Sequence, residues 1–148
     1  MAGLPSPKVF KLSASEIDPT LLAVMMPFNP KFNEVHSTLQ SVAKASKMEC
    51  LRADDIWEEE AIIQDIVSLI SKARIVIADC TGRNPNVFYE VGIAHALGRD
   101  VILIAQSEED IPFDLRHLRY IKYLNNSEGR DNLADRLKKR IGTLLKST

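Results

Sequence analysis

The chain has 148 residues, which is enough for one domain with its own hydrophobic core. A formal net charge of −1 excludes the basic footprint of proteins that bind nucleic acid or acidic membranes. The two cysteines have no metal-ligand or CxxC spacing. No apolar run approaches the ~20 residues of a membrane span. The first residues do not resemble a signal peptide. We therefore expect a reduced, cytoplasmic protein.

Strand and helix patterns alternate along the chain. Residues 1–19 are rich in Pro and Ser and predict an N-terminal arm, with a short edge strand at residues 9–12. Short apolar runs predict strands at residues 21–26, 48–52, 74–79, 101–105 and 120–123. Apolar stripes at helical spacing predict four helices. The stripes begin at Phe32, Ile62, Val87 and Leu133. The stripe from Ile62 extends to Ala73.

Five strands alternating with helices predict an α/β domain over residues 20–148. The expected architecture is a flavodoxin-like, doubly wound parallel sheet with the strand order 2-1-3-4-5. In that order strands one and three are neighbours, and their connections leave toward opposite faces of the sheet. The crevice at their carboxyl ends is the expected ligand site.

Glu90 is the most informative residue of the predicted third helix. Projected at about 100° per residue, it falls on the same arc as Val87, Val91 and Ala94, which should pack on the core. Burying an unpaired carboxylate is costly, so such a residue has either a partner or a function. One alternative is a glutamate satisfied by an Arg or by backbone amides. The other is a functional carboxylate. This alternative is favoured because the preceding strand ends in Asp79, so that Asp79 and Glu90 would approach the same crevice.

Polar and aromatic residues follow several predicted strands and would surround this crevice. The candidate substrate-binding residues are Met26, Pro27, Phe28, Asn29, Asp54, Thr81, Gly82, Arg83, Asn84, Asn86, Phe113 and Asp114. Among them, Arg83, Asn84 and Asn86 lie at the start of the third helix, where backbone amides and a cation can bind phosphate. Arg83 is otherwise an ordinary exposed loop residue. Asp54 belongs to an acidic cluster over residues 54–60, which also fits a helix N-terminus stabilised by the helix dipole.

Several familiar chemistries are not indicated. The sequence has no G-x-G-x-x-G after the first strand, no P-loop motif and no G-x-S-x-G serine-hydrolase motif. His36, His95 and His117 share no metal-ligand spacing, and the basic outer face of the last helix is interpreted as a solvated surface. We therefore expect neither a metal nor a cofactor.

The segment from Val76 to Gly82 (VIADCTG), followed by residues 84–99 (NPNVFYEVGIAHALGR), resembles the nucleoside 2-deoxyribosyltransferase superfamily. That superfamily includes nucleotide N-glycoside hydrolases. The resemblance covers about residues 21–123, and its specific part is residues 79–98. It implies that Glu90 is the nucleophile that attacks the anomeric carbon and that Asp79 assists at the base. Family members often have an aspartate before the helix to hold the sugar hydroxyls, whereas this sequence has Asn86.

The resemblance implies cleavage of the N-glycosidic bond of a small nucleoside or nucleotide, by hydrolysis or by transfer to a second base, in a homo-oligomeric enzyme. Retaining glycosidases use a carboxylate nucleophile in the same way. Two alternatives stay open. One is a Toll/interleukin-receptor-like domain that cleaves NAD and shares the five-stranded architecture. The other is a non-catalytic nucleotide-binding or sensing module, which Asn86 and the lack of a phosphate loop favour.

Overall fold

The computed structural model describes residues 6–12, 16–52 and 62–147. Its strands are β1 (Asp18–Met25), β2 (Glu49–Arg52), β3 (Ala73–Asp79), β4 (Asp100–Ala105) and β5 (Tyr120–Lys122). Its helices are α1 (Asn33–Ala45), α2 (Ile62–Lys72), α3 (Pro85–Ala96) and α4 (Ser127–Lys146). Short 3-10 turns lie at Pro30–Phe32, Glu108–Asp110 and Phe113–Leu115. None of the described helices has the combination of length and apolar character that spanning a bilayer requires.

The sheet confirms the predicted topology. Its strand order is β2-β1-β3-β4-β5, and each neighbouring pair is parallel. In the register at the centre of the sheet, Val24 of β1 lies beside Ile77 of β3, and Ile77 lies beside Ile102 of β4. The strand order therefore places the topological switch point between β1 and β3, and the crevice at their carboxyl ends stays a prediction.

Alternate residues along each strand divide the core into two layers. One layer contains Leu22 and Val24 of β1, and its helical contribution comes from α1 and α4. The other contains Leu21 and Ala23 of the same strand and is completed by α2 and α3. This alternation follows from the two-residue period of a strand and explains why both faces of β1 and β3 are apolar.

The N-terminal prediction is wrong in one respect. Residues 8–12 form bends and irregular backbone instead of the predicted edge strand. The backbone N–H of Lys11 donates to Oε1 of Gln64 on α2 at 2.7 Å, and Nε2 of Gln64 donates back to the Lys11 carbonyl at 2.9 Å. This backbone is thus satisfied by a side chain, so it needs no neighbouring strand. Ala73, which the α2 stripe included, is the first residue of β3.

Candidate functional site

Asp79 ends β3 and is completely buried. Its Oδ1 accepts a hydrogen bond from the backbone N–H of Thr81 at 3.0 Å, and its Oδ2 accepts one from the Tyr123 hydroxyl at 2.5 Å. Tyr123 follows β5, so its side chain reaches across β4 to make this contact. Nε2 of Gln106, the residue after β4, donates to the Tyr123 oxygen at 3.1 Å. Three adjacent strands thus end in one connected polar network.

The environment of this network changes its acidities. Burial raises the pKa of Asp79 above its usual range, although the hydrogen bonds from Thr81 and Tyr123 oppose that change. Burial, together with the charge of Asp79, raises the pKa of the Tyr123 hydroxyl, and the same two causes raise the pKa of Cys80 to about 12. Asp79 therefore keeps a proton to higher pH than a surface aspartate does, while Tyr123 and Cys80 stay neutral.

Helix α3 carries Glu90 as the helical projection predicts. Val87, Val91 and Ala94 are buried in the α2–α3 layer, and Glu90 lies among them with 5% of its surface exposed. Glu90 has an interaction partner. The predicted burial is confirmed, and the alternative of a satisfied structural glutamate stays open.

The ends of α3 follow the sequence signals closely. Asn84 is the N-cap, and its side chain accepts from the backbone N–H groups of Asn86 at 2.9 Å and Val87 at 3.4 Å. Pro85 occupies the first helical position, and Gly98, with φ of 73°, follows the end of the helix in the left-handed region. The caps fix the start of the helix and thereby the position of Glu90, five residues after Pro85.

The two carboxylates reach the carboxyl end of β3 from opposite sides of the sheet. Asp79 shares the strand face of Ile75 and Ile77, which belong to the α1–α4 layer, as does Tyr123. Glu90 lies on the helix that covers the other layer. A site that uses both carboxylates must therefore lie across the edge of the sheet. That they open onto one pocket stays a prediction.

The turn between β3 and α3 contains Thr81, Gly82 and Arg83. Gly82 and Arg83 both have positive φ, 81° and 56°. Oγ1 of Thr81 accepts from the backbone N–H of Gln106 at 3.0 Å. The Arg83 Nε donates to the Glu109 carbonyl at 3.1 Å and lies 3.8 Å from the Asp110 carboxylate. Arg83 thus connects this turn to the loop after β4, although its side chain is still 62% exposed.

Aromatic rings stand exposed on the loops that follow β1 and β4. Phe28 is 79% exposed and Phe113 is 81% exposed. The guanidinium carbon of Arg52 lies 5.8 Å from the Phe28 ring centroid, and that of Arg116 lies 5.9 Å from the Phe113 ring centroid. Phe28 lies three residues after the end of β1, at the edge of the sheet that carries Asp79. Phe113 lies midway along the connection from β4 to β5, and its position at the same edge stays a prediction.

The other predicted site residues have plainer positions. Met26 and Pro27 are buried, and Met26 belongs to the α1–α4 layer. Asn29 caps the 3-10 turn that follows by accepting from the Lys31 N–H at 2.9 Å. Asn86 and Asp114 are exposed. The predicted residue Asp54 lies outside the described residues.

Tyr123 and Gln106 were not among the predicted site residues. Each directly follows a strand that ends at the same edge as β3, and this position was the available signal. A cavity of about 510 Å³ lies beside Tyr123, between the end of β5 and the start of α4, with Leu124, Asn126 and Gly129 in its wall. In the described part of the chain, no group of three or more His, Cys, Asp or Glu side chains could hold a metal ion.

Comparison with protein-family profiles gives no match, and comparison with curated proteins also gives none. Among solved structures, the chain is similar to a 2-desoxiribosyltransferase from Leishmania mexicana, with a TM-score of 0.52 and 20% sequence identity. The match covers 60% of this chain and 66% of that one, slightly under two thirds of the neighbour's length. A likeness at this identity establishes the shared α/β fold.

Proposed function

We propose that this protein cleaves the N-glycosidic bond of a nucleoside or nucleotide, with Glu90 as the nucleophile. The observation that carries the proposal is the burial of Glu90 on the core-facing side of α3, the helix that leaves β3 beside the topological switch point. Ligands of doubly wound sheets bind at that point. The fold shared with a deoxyribosyltransferase supports the same reaction class.

In the proposed reaction, a carboxylate oxygen of Glu90 forms a bond to the anomeric carbon while the bond from that carbon to the base nitrogen breaks. The positive charge that develops on the sugar is stabilised by the carboxylate, as in retaining glycosidases. The resulting glycosyl ester is opened by water, which gives a hydrolase, or by the nitrogen of a second base, which gives a transferase. In both cases Glu90 is regenerated.

Asp79 is proposed to assist departure of the base through Tyr123. Its carboxyl group has no exposed surface, and its Oδ2 contacts the Tyr123 hydroxyl. Because burial raises its pKa, Asp79 is better suited than a surface aspartate to supply a proton. In the proposed transfer the Tyr123 hydroxyl turns from Asp79 toward the base and gives it its proton, while protonated Asp79 donates its own proton to the Tyr123 oxygen, which reverses the hydrogen bond of the structure.

The exposed rings of Phe28 and Phe113 are proposed to hold the base. Aromatic rings provide stacking surfaces that accept any base, and each stacked base is worth ~1–3 kcal/mol. Both rings are exposed and are therefore available for stacking on a ligand.

A second candidate is a nucleotide-binding module without turnover. It is favoured by the full burial of Asp79, by the interaction partner of Glu90 and by Asn86 in place of the family's aspartate. Such a module would keep the crevice and the exposed rings of Phe28 and Phe113. It predicts binding without product.

The test is product analysis after incubation with a panel of nucleosides, nucleoside monophosphates and NAD. We expect the wild type to release free base from a nucleoside or a monophosphate. We expect the turnover of Glu90→Gln to fall at least a thousandfold. The loss of a binding contact costs less, about tenfold for each 1.4 kcal/mol. Glu49→Gln, on the exposed edge strand β2, is the matched control and should keep wild-type turnover. Cleavage of NAD alone would instead support the Toll/interleukin-receptor-like alternative, and a ligand-induced thermal shift without product would support the binding module.

A further inference from the structure

A second cavity lies at the opposite end of the strands. Its volume is about 840 Å³, within the ~300–1,000 Å³ range of small-molecule sites. It is lined by the first four residues of β4 (100–103), by residues 118–121 at the start of β5, and by one face of α4. Asp79 and Gln106 belong to the carboxyl ends of the strands, so this cavity is separate from the site described above.

The lining is strongly cationic. Among the described residues, the only carboxylate in the cavity wall is that of Asp100, and it is already paired with Arg74 at 2.5 Å. Five cationic side chains line it, and in the part of the chain that the structure describes none of them forms an ion pair; they are Arg99, Arg119, Arg136, Lys139 and Arg140. Within the described ranges, the positive charges of the cavity wall therefore outnumber the negative ones.

The α4 cations are not explained by helix stability. Arg136, Lys139 and Arg140 are three and four residues apart, so they share one helix face, where like charges repel and destabilise the helix. Cations stabilise a helix dipole only within the last turn. Helix α4 ends at Lys146, and Arg140 lies more than one turn before that end. An anion in the cavity would remove the repulsion.

Arg99 adds a second, independent observation. It follows the end of α3, and its Nε is buried without a hydrogen-bond partner among the described residues. A buried donor that makes no hydrogen bond is unfavourable. On the α4 side, Nη1 of Arg136 donates to the Lys122 carbonyl at 3.2 Å, which holds that guanidinium group beside β5. The cations thus approach from two separate elements of the fold.

We propose that this cavity binds a compact polyanion with several linked phosphate groups. Guanidinium groups are well suited to phosphate oxygens, which they bind through paired hydrogen bonds. A small ligand is proposed in preference to a nucleic acid, because the cations surround one cavity whose volume is that of a small-molecule site. A nucleoside triphosphate and inorganic tripolyphosphate both present this chemistry. The inference does not depend on the proposed catalytic function.

Isothermal titration of the full chain with tripolyphosphate and, separately, with ATP tests the proposal. We expect Lys139→Gln and Arg140→Gln each to weaken tripolyphosphate binding by about tenfold. Lys138→Gln is the matched control, since Lys138 is an exposed cation of the same helix that does not line the cavity. Glu90→Gln should bind tripolyphosphate as the wild type does, which separates this cavity from the catalytic site.

Equal affinities for tripolyphosphate and ATP would identify the phosphate chain as the recognised group, whereas tighter binding of ATP would show that the nucleoside is also held. Both results support the proposal. It is overturned if neither probe binds, or if Lys138→Gln weakens binding as much as Lys139→Gln does. Tighter binding of a single-stranded RNA oligonucleotide than of either probe would also overturn it, in favour of a nucleic-acid surface.

Discussion

The hydroxyl of Tyr123 donates a 2.5 Å hydrogen bond to Oδ2 of Asp79. Asp79 belongs to β3 and Tyr123 follows β5, and β4 lies between these two strands in the sheet. The bond connects the ends of β3 and β5 across β4. It also places an ionisable carboxyl group in the α1–α4 layer, where solvation is lost. The pH dependence of folding follows from this arrangement.

Wild-type stability should fall, relative to that of Asp79→Asn, as pH rises. The folded-state pKa of Asp79 is raised above its ordinary value of 3.8, so the folded chain retains a proton that the unfolded chain has released. Between the two values the free energy of unfolding contributed by this group decreases, by at most about 1.4 kcal/mol per pH unit. The contribution is fully present below pH 3.8 and is lost as pH passes through the raised value.

Urea unfolding of both proteins from pH 3.5 to pH 8 measures this difference. The other carboxyl groups are common to the two proteins, so they cancel in the comparison. A constant difference across the range would mean that Asp79 titrates in the folded state as a surface aspartate does.

Arg74→Met should destabilise the protein by about 1–3 kcal/mol, because the Arg74 guanidinium bonds three partners. It donates to Asp100 at 2.5 Å, to the Leu144 carbonyl at 2.7 Å and to the Ser147 carbonyl at 3.2 Å. Two of these are backbone groups at the end of α4, so amide hydrogen exchange in its last turn should accelerate most. Thermal denaturation with exchange mass spectrometry measures both effects. Equal acceleration in α1 would contradict a local role.

The strand order and most of the elements could be predicted, because the strands and helices have periodic apolar patterns. In α3, Asn84, Pro85 and Gly98 mark both ends, and the helical period alone predicts the burial of Glu90. The edge strand at residues 9–12 was wrong because Lys11 bonds to a side chain 53 residues away, which no local pattern encodes.

The candidate site was less predictable. The alternation of Ile75, Ile77 and Asp79 in β3 indicates the face on which Asp79 lies, but it does not indicate a partner for the carboxyl group. Its bond to Tyr123 depends on the strand order and on the reach of one side chain across β4. Such a contact requires coordinates.

Gly129→Ala should destabilise the protein severely, by more than about 3 kcal/mol. A Cβ atom there would lie 2.1 Å from the Leu124 backbone oxygen, which cannot move without shifting the chain between β5 and α4. Gly142→Ala is the matched control on the same helix. A Cβ there meets nothing within 4 Å, so alanine should stabilise the helix by about 0.5–1 kcal/mol. Urea unfolding separates the two, and equal stabilities would contradict the predicted clash.

Phe28→Ala and Phe113→Ala should each raise the KM for the cleaved substrate by about tenfold while leaving thermal stability nearly unchanged, because the rings are exposed and are proposed to stack on the base. Val9→Ala removes another exposed apolar side chain and should change neither quantity. Steady-state kinetics on the substrate that the panel identifies provides the measurement. Unchanged KM in both phenylalanine variants would exclude a stacking role for the two rings.

Glu90 is proposed to form a covalent bond to the sugar, and mass spectrometry of the peptide that contains Glu90 tests for that bond. The wild type is quenched in acid during turnover of its substrate and digested. We expect a mass increase of one sugar unit on Glu90, absent from the Glu90→Gln protein. Turnover without that mass on Glu90, or with the sugar on another residue, would show that Glu90 is not the nucleophile.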